Sequence, residues 1–203
     1  MGNRRWFLIR HGATIGDSDL RFHGISDIPL STEGEDQMNA LSLMLEGIKP
    51  QGIIHSPLSR SRQSAEILKK RLGWETPLLE MKGLTEIDFG KCEGLTEQEI
   101  KEKFPDFYND WKVKKNYESF PGGEKLEEFK ERVYSVVEEL LFKFPEGDLI
   151  IVAHKGVLRR ILWALVGEED EEIKTFNPPL GSLSMVEEEN SGRWVLIFKE
   201  RLP

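Results

Sequence analysis

Along the chain, short apolar runs alternate with longer stretches in which apolar residues recur at helical spacing. Trp6 to Ile9 is one such run, and its end at Arg10-His11-Gly12 predicts a buried strand stopped by a glycine turn. Thr32 followed by Glu35 has the spacing of a capping box and predicts a helix that buries Met38, Leu41 and Leu45, with Ile48 at its end. Gly52 to His55 predicts a second strand closed by Ser56-Pro57. Arg60 to Leu72 then predicts a basic helix with Ala65 and Leu68 inward and Gly73 as its stop. Leu126, Phe129, Val133, Val137, Leu140 and Phe144 mark a long helix. Asp148 to Ala153 is an uninterrupted apolar strand ending at His154-Lys155-Gly156, and Val157 to Val166 an apolar helix closed by Gly167. Leu183 to Val186 and Trp194 to Phe198, about Asn190-Ser191-Gly192, predict an antiparallel edge hairpin.

Strands that are apolar on both faces and alternate with helices need cover on both sides. The expected fold class is therefore α/β, a mostly parallel sheet covered by helices on both faces, with the antiparallel hairpin at its C-terminal edge. One stretch differs in character. From Thr96, with Glu99 as a second capping box, to Phe120, the aromatics Phe104, Phe107, Tyr108, Trp111, Tyr117 and Phe120 crowd together before Pro121-Gly122-Gly123. We expect a helical cap insertion at about 96–120 within a single domain spanning 1–203. Its aromatics form its own core or line the mouth of a pocket. The acidic run Glu168 to Glu172 reads as a solvated helix start, favoured by the positive end of the helix dipole.

Composition narrows the partners. The 203 residues carry 28 Lys+Arg against 36 Asp+Glu, a net −8, and no Lys/Arg-rich run, which argues against nucleic acid as a partner. A single cysteine, Cys92, cannot close an internal disulfide. No apolar run reaches the roughly 18 residues of a membrane span, and Met1 to Phe7 leads straight into the His-Gly turn without a signal-peptide pattern. These features predict a cytoplasmic protein with no membrane partner and leave room for a homodimer.

In a parallel sheet, ligands bind beyond the carboxyl ends of the strands. His11 and His154 each follow an apolar strand directly, with glycine one or two residues later so that a ligand can approach the backbone. Arg10 adjoins the first histidine, and Arg60 and Arg62 lie where the second strand passes into its helix, although Arg62 reads as part of a solvated face. Guanidinium forks and exposed helix N–H groups suit a tetraoxyanion, so a phosphate pocket is expected in an otherwise acidic chain. No Gly-x-x-x-x-Gly-Lys-Ser/Thr loop is present, Cys92 lacks an arginine six positions on, and no His-rich metal spacing occurs. Asp17-Ser18-Asp19 has two-aspartate spacing but follows a polar loop instead of a strand. Histidine remains as the nucleophile, because a neutral imidazole can attack phosphorus and split hydrolysis into two displacements. A carboxylic acid must then protonate the leaving alkoxide, and composition does not single one out.

At this point a family resemblance enters. Leu8-Ile9-Arg10-His11-Gly12, Arg21-Phe22-His23-Gly24, Asp27-Ile28-Pro29-Leu30-Ser31, Gly34 and Gln37 resemble the histidine phosphatase (phosphoglycerate mutase-like) superfamily. So do Ser56-Pro57-Leu58-Ser59-Arg60 with Ala65, Leu84-Thr85-Glu86-Ile87-Asp88-Phe89-Gly90 with Glu93-Gly94, Pro121-Gly122-Gly123-Glu124, and Val152-Ala153-His154. The resemblance covers nearly the whole chain in order. It implies His11 as nucleophile, Glu86 as general acid and base, and Arg10, Arg60 and His154 around the phosphoryl oxygens, with no metal and no cofactor. It also places Asp17, Arg21, Gly24 and Lys155 at the substrate.

Three positions depart from the family pattern. Asp17 stands where asparagine is common and cannot donate to a phosphate oxygen, Ala13 replaces a frequent glutamate, and Lys155 a frequent glycine. His23 and His55 occupy places usually held by other polar residues and read as structural or peripheral. After Glu86 the chain passes at once to Ile87-Asp88-Phe89-Gly90, without the longer stretch that mutases carry there. That looks like the phosphatase branch, which includes α-ribazole phosphatases and broad-specificity phosphomonoesterases. The implied function is a metal-independent phosphomonoester hydrolase that acts through a phosphohistidine on a small phosphorylated metabolite and releases inorganic phosphate. The alternatives are a cofactor-dependent phosphoglycerate mutase and a non-catalytic phosphate-binding module, against which the retention of both His11 and Glu86 argues.

Overall fold

The computed structural model describes residues 4–16, 20–169, 171–189 and 192–203. Four strands of the sheet run parallel: β1 (Arg5–Arg10), β2 (Gly52–His55), β3 (Leu78–Glu80) and β4 (Asp148–Ala153). Strands β5 (Leu183–Glu188) and β6 (Trp194–Arg201) extend it antiparallel, giving the order β3-β2-β4-β1-β5-β6. The sheet is the mixed, mostly parallel one that the strand patterns predicted. Strand β3 had no signal of its own: three residues are too few to show a period, and it exists by pairing with β2. The Asn190-Ser191 part of the expected hairpin turn lies outside the described residues.

Each strand serves two cores. Trp6 and Leu8 of β1 and Leu149 and Ile151 of β4 face α5 (Leu126–Lys143) and α6 (Lys155–Val166), which contribute Phe129, Val133, Val137, Leu158 and Ile161. Phe7, Ile9, Ile150 and Val152 point the other way, onto Met38 and Leu41 of α1 (Thr32–Ser42) and Ala65 and Leu68 of α2 (Ser59–Leu72). The period-2 alternation of the strands thus feeds both layers. A third apolar cluster joins Cys92, Ile100 and Phe120 to Phe104, Phe107, Tyr108, Trp111 and Tyr117. It is built on α3 (Glu97–Lys103), α4 (Pro105–Tyr108) and a π-helical turn, Asn109–Lys114, and Thr96 and Glu99 form the expected capping box. The acidic run leads into α7 (Glu171–Lys174), with Asp170 outside the described residues. Among the described residues no helix is long and apolar enough to cross a membrane.

One helix start differs from the expectation. The N-cap of α1 is Ser31, whose side chain accepts from the Gly34 N–H at 3.2 Å, in place of the Thr32–Glu35 box. Ser31 donates its own N–H to the Ala13 carbonyl at 2.9 Å, which holds it in extended backbone and makes it the residue that can reach the free helix N–H groups.

Candidate active site

Because β1 and β4 are neighbours in register, with Arg10 opposite Ala153, the residues that follow them emerge side by side. The His11 N–H donates to the Ala153 carbonyl at 3.1 Å, and the His11 and His154 rings stand 5.1 Å apart, inclined by 60°. Both are buried, at 4% and 1% exposure, as is Arg60 at 2%. Arg60 lies on the first turn of α2, and its Nε–H points between the two rings, 3.2 Å from His11 Nε2 and 3.3 Å from His154 Nδ1. A carbonyl can only accept, so His11 donates Nδ1–H to the Gly12 oxygen at 2.8 Å and keeps its Nε2 lone pair. His154 accepts at Nδ1 and donates Nε2–H to Ser56 Oγ at 2.8 Å. Burial, reinforced by the charges of Arg60 and Arg10, holds the His11 pKa well below the ordinary histidine value. Burial and Arg60 do the same to His154. Both rings are neutral near pH 7.

Glu86, 6% exposed, faces the start of α6: its carboxylate accepts from the Gly156 N–H at 2.9 Å and from the Ile87 N–H at 3.0 Å. A Cβ at position 156 would stand 2.5 Å from that carboxylate, and one at position 12 would collide with the Gly34 backbone. The two glycines therefore make room for the protein's own Glu86 and α1, where the spacing had suggested room for a ligand. The backbone beneath Glu86 hangs on Arg132 of α5, which donates to the carbonyls of Gly83, Thr85 and Glu86 and forms a bidentate pair with Glu124 at 2.6 and 2.9 Å. Neither Arg132 nor this use of Glu124 was legible in advance; a Glu just before a helix that carries an Arg one turn or two in is too common a pattern to read.

The loop after Phe22 is held from two sides. Arg60 donates to the carbonyls of Ser26 and Gly24, both at 2.7 Å, and of His23 at 3.3 Å. The Glu93 carboxylate accepts from the N–H groups of Gly24, Ile25, Ser26 and Phe89 and from Ser26 Oγ. Asp27, just beyond, accepts from Ser59 N–H at 2.6 Å and Ser59 Oγ at 2.8 Å, capping α2 from outside because its own N-cap, Leu58, has no side chain able to do so.

Above this group opens a cavity of about 330 Å³. Arg10, Arg21, Glu86 and Lys155 line it, whereas the buried His11, His154 and Arg60 do not. Arg10 also donates to the Pro178 carbonyl at 2.9 Å, Arg21 to Gly94 and Glu99, and Lys155 is exposed. Gly24 meets Glu93 with its N–H, and Asp17 lies outside the described residues. Arg62 is exposed, as its position on a solvated face required. Trp111, Tyr117 and Phe120 line the cavity and belong to the aromatic cluster at once, whereas Tyr108 turns away and donates its hydroxyl to Glu97 at 3.0 Å. Cys92 is a buried free thiol in that cluster, and His55 is buried with Nδ1 on the Ser56 carbonyl.

Paired strand-end histidines, an arginine between them and a buried carboxylate at the next helix start define a phosphoryl-handling α/β protein. The chain belongs to the histidine phosphatase superfamily (branch 1), whose sequence model matches residues 6–200, and it is a phosphatase of that family. It is 28% identical over 183 residues to the uncharacterized phosphatase PhoE of Bacillus subtilis (strain 168), covering 89% of this chain and 88% of that protein. It is 31% identical over 179 residues to human 6-phosphofructo-2-kinase/fructose-2,6-bisphosphatase 3, where 87% of this chain spans 32% of the relative's length. In fold it is similar to the alpha-ribazole phosphatase from Shigella flexneri, with a TM-score of 0.83, 24% identity, and 97% and 96% of the two chains covered.

Proposed function

We propose that the enzyme hydrolyses small phosphomonoesters through a phosphohistidine on His11. The observation that carries this reading is the neutral His11 ring, tied through Nδ1 to its own backbone so that the Nε2 lone pair lies beside a buried guanidinium. Nε2 attacks phosphorus in line, the P–O bond to the leaving group breaks, and Glu86 delivers a proton to the departing oxygen. Water, losing its proton to Glu86, then attacks the phosphohistidine and releases inorganic phosphate and the free imidazole. Arg10 and Arg60 donate to the equatorial oxygens in this reading, and preorganised donors of this kind contribute about 3 kcal/mol each to the barrier reduction; His154 stands beside them with its one N–H on Ser56. Arg21, Gly24 and Lys155 belong to the substrate's surroundings in this reading, and Asp17 to its approach.

The test is to quench turnover of a 32P-labelled phosphomonoester in alkali. An acid-labile, alkali-stable label on the wild type and none on His11→Ala is the expected result. Full activity in His11→Ala would overturn the proposal, and isomerisation of 3-phosphoglycerate in place of hydrolysis would redirect it to a mutase.

A further inference from the structure

The strand order β2-β4-β1 sets three residues in a row at the end of the sheet. Ser56 follows β2, His154 follows β4 and His11 follows β1. In the mechanism above Ser56 has no part, although it is fully buried and stands against His154. Its place is fixed from the sheet. The Ser56 N–H donates to Ser61 Oγ at 3.1 Å, and Ser61 Oγ donates in turn to the Val152 carbonyl of β4 at 2.6 Å. Ser56 Oγ accepts from the Leu58 N–H at 3.3 Å and lies 2.8 Å from His154 Nε2.

One donor decides where the protons sit along this row. Arg60 Nε carries a single hydrogen and can only donate, so both nitrogens it faces, His11 Nε2 at 3.2 Å and His154 Nδ1 at 3.3 Å, present lone pairs. A neutral ring with its lone pair at Nδ1 carries its proton at Nε2, and Ser56 Oγ is the acceptor that keeps it there. The same shared hydrogen engages the lone pair with which His11 must attack phosphorus. The guanidinium has little freedom to turn aside, because its other two nitrogens hold the carbonyls of Ser26, Gly24 and His23. As His11 Nε2 bonds to phosphorus, the bond from phosphorus to the leaving oxygen breaks and Glu86 gives that oxygen its proton. His11 then has no lone pair for Arg60, and the His154 lone pair remains to take the Nε–H. The opposite tautomer of His154 would set Nδ1–H against Nε–H, two donors face to face in a buried site, and drive the Arg60 hydrogen wholly onto His11.

We propose that Ser56 is a positioning residue: by accepting from His154 Nε2–H it keeps His154 Nδ1 open to take the Arg60 hydrogen, and so releases the His11 lone pair for attack. The proposal rests on the phosphatase reading above and gives His154 the part of an acceptor within it.

The experiment follows wild type, Ser56→Ala, His154→Asn and the double variant through single turnover of p-nitrophenyl phosphate, together with 1H–15N NMR of the histidine side chains. In the free wild type His154 should carry its proton on Nε2. In Ser56→Ala the Nδ1–H tautomer should appear. The rate of p-nitrophenolate release at saturating substrate should then fall about tenfold or more, while the half-saturating concentration moves by less than about twofold. The amide oxygen of His154→Asn can accept from Arg60 without help from Ser56. Adding Ser56→Ala to that variant should therefore change its rate by less than about twofold. Losses that multiply in the double variant would mean that Ser56 acts by supporting Leu58 and the start of α2, and would overturn the proposal. An unchanged tautomer in Ser56→Ala would overturn it too, as would a wild-type His154 protonated on Nδ1, a measurement that needs no variant to fold. A wild type that turns over beside an equally active Ser56→Ala refutes the positioning role alone, whereas a wild type that hydrolyses nothing refutes the phosphatase reading on which that role rests.

Discussion

His11 and His154 are neutral because burial and the neighbouring guanidiniums penalise their protonated forms. Their imidazole resonances, followed by 1H–15N NMR in the free enzyme, should therefore remain those of neutral rings at pH 6, where an exposed histidine is largely protonated. Titration of either ring at the ordinary value would mean that the site is open to water. Glu86 sits one hydrogen bond from the first turn of α6. With Glu86→Gln, an alkyl phosphate, whose alkoxide needs a proton, should lose about 100-fold or more in kcat. p-Nitrophenyl phosphate, whose phenolate departs unaided, should lose far less. Equal losses on the two substrates would remove Glu86 from the acid role. Nothing in the local pattern around Glu86 distinguishes it from the other carboxylates of the chain. Its identity came from the resemblance, and its placement from Arg132, forty-six residues later.

At the scale of elements, α2 carries Arg60 into the site but has no cap of its own, and Asp27 from the preceding loop supplies one. Asp27→Ala should cost about 1 kcal/mol of stability by urea unfolding. It should also lower activity, since the helix end that aims Arg60 would fray. Glu93 holds four backbone N–H groups and one hydroxyl of the loop and of Phe89. Removing it as Glu93→Ala strands those donors, and a loss of about 2–3 kcal/mol with a raised KM is expected, because the carbonyls that Arg60 grips lie on the same loop. An unchanged KM would separate the loop from substrate binding.

For the whole molecule, the depressed histidines link stability to pH. The unfolded chain binds protons at His11 and His154 near pH 6.5, whereas the folded chain does so only well below that value. Stability is thus complete above about pH 6.5 and falls as the pH drops beneath it, by up to about 1.4 kcal/mol per pH unit for each ring. Unfolding midpoints at pH 7.5 and 5.5 should show the decline, and His154→Asn should make it shallower. An equal decline in that variant would assign the effect to carboxylates instead. Activity should also survive chelation by EDTA, since in the proposed reading Arg10, Arg60 and the helix ends supply the positive charge around the phosphoryl group. Loss on chelation with recovery on adding a divalent ion would call for a metal at the site.

Length of apolar run, helical spacing and stop residues were enough to determine β1, β2, β4, α2, α5, α6 and the two-faced sheet, because burial on both faces leaves a strong local imprint on composition. The pairing of His11 with His154 was also legible, since each ends an apolar strand and parallel strands end at the same edge. Contacts that span the fold left no such imprint. The three-residue β3, the cap lent by Asp27 to α2 and the hold of Arg132 on Glu86 each depend on residues far apart in sequence. Only folding makes them neighbours, so the tertiary structure alone decided how the Glu86 backbone and the helix that carries Arg60 are held.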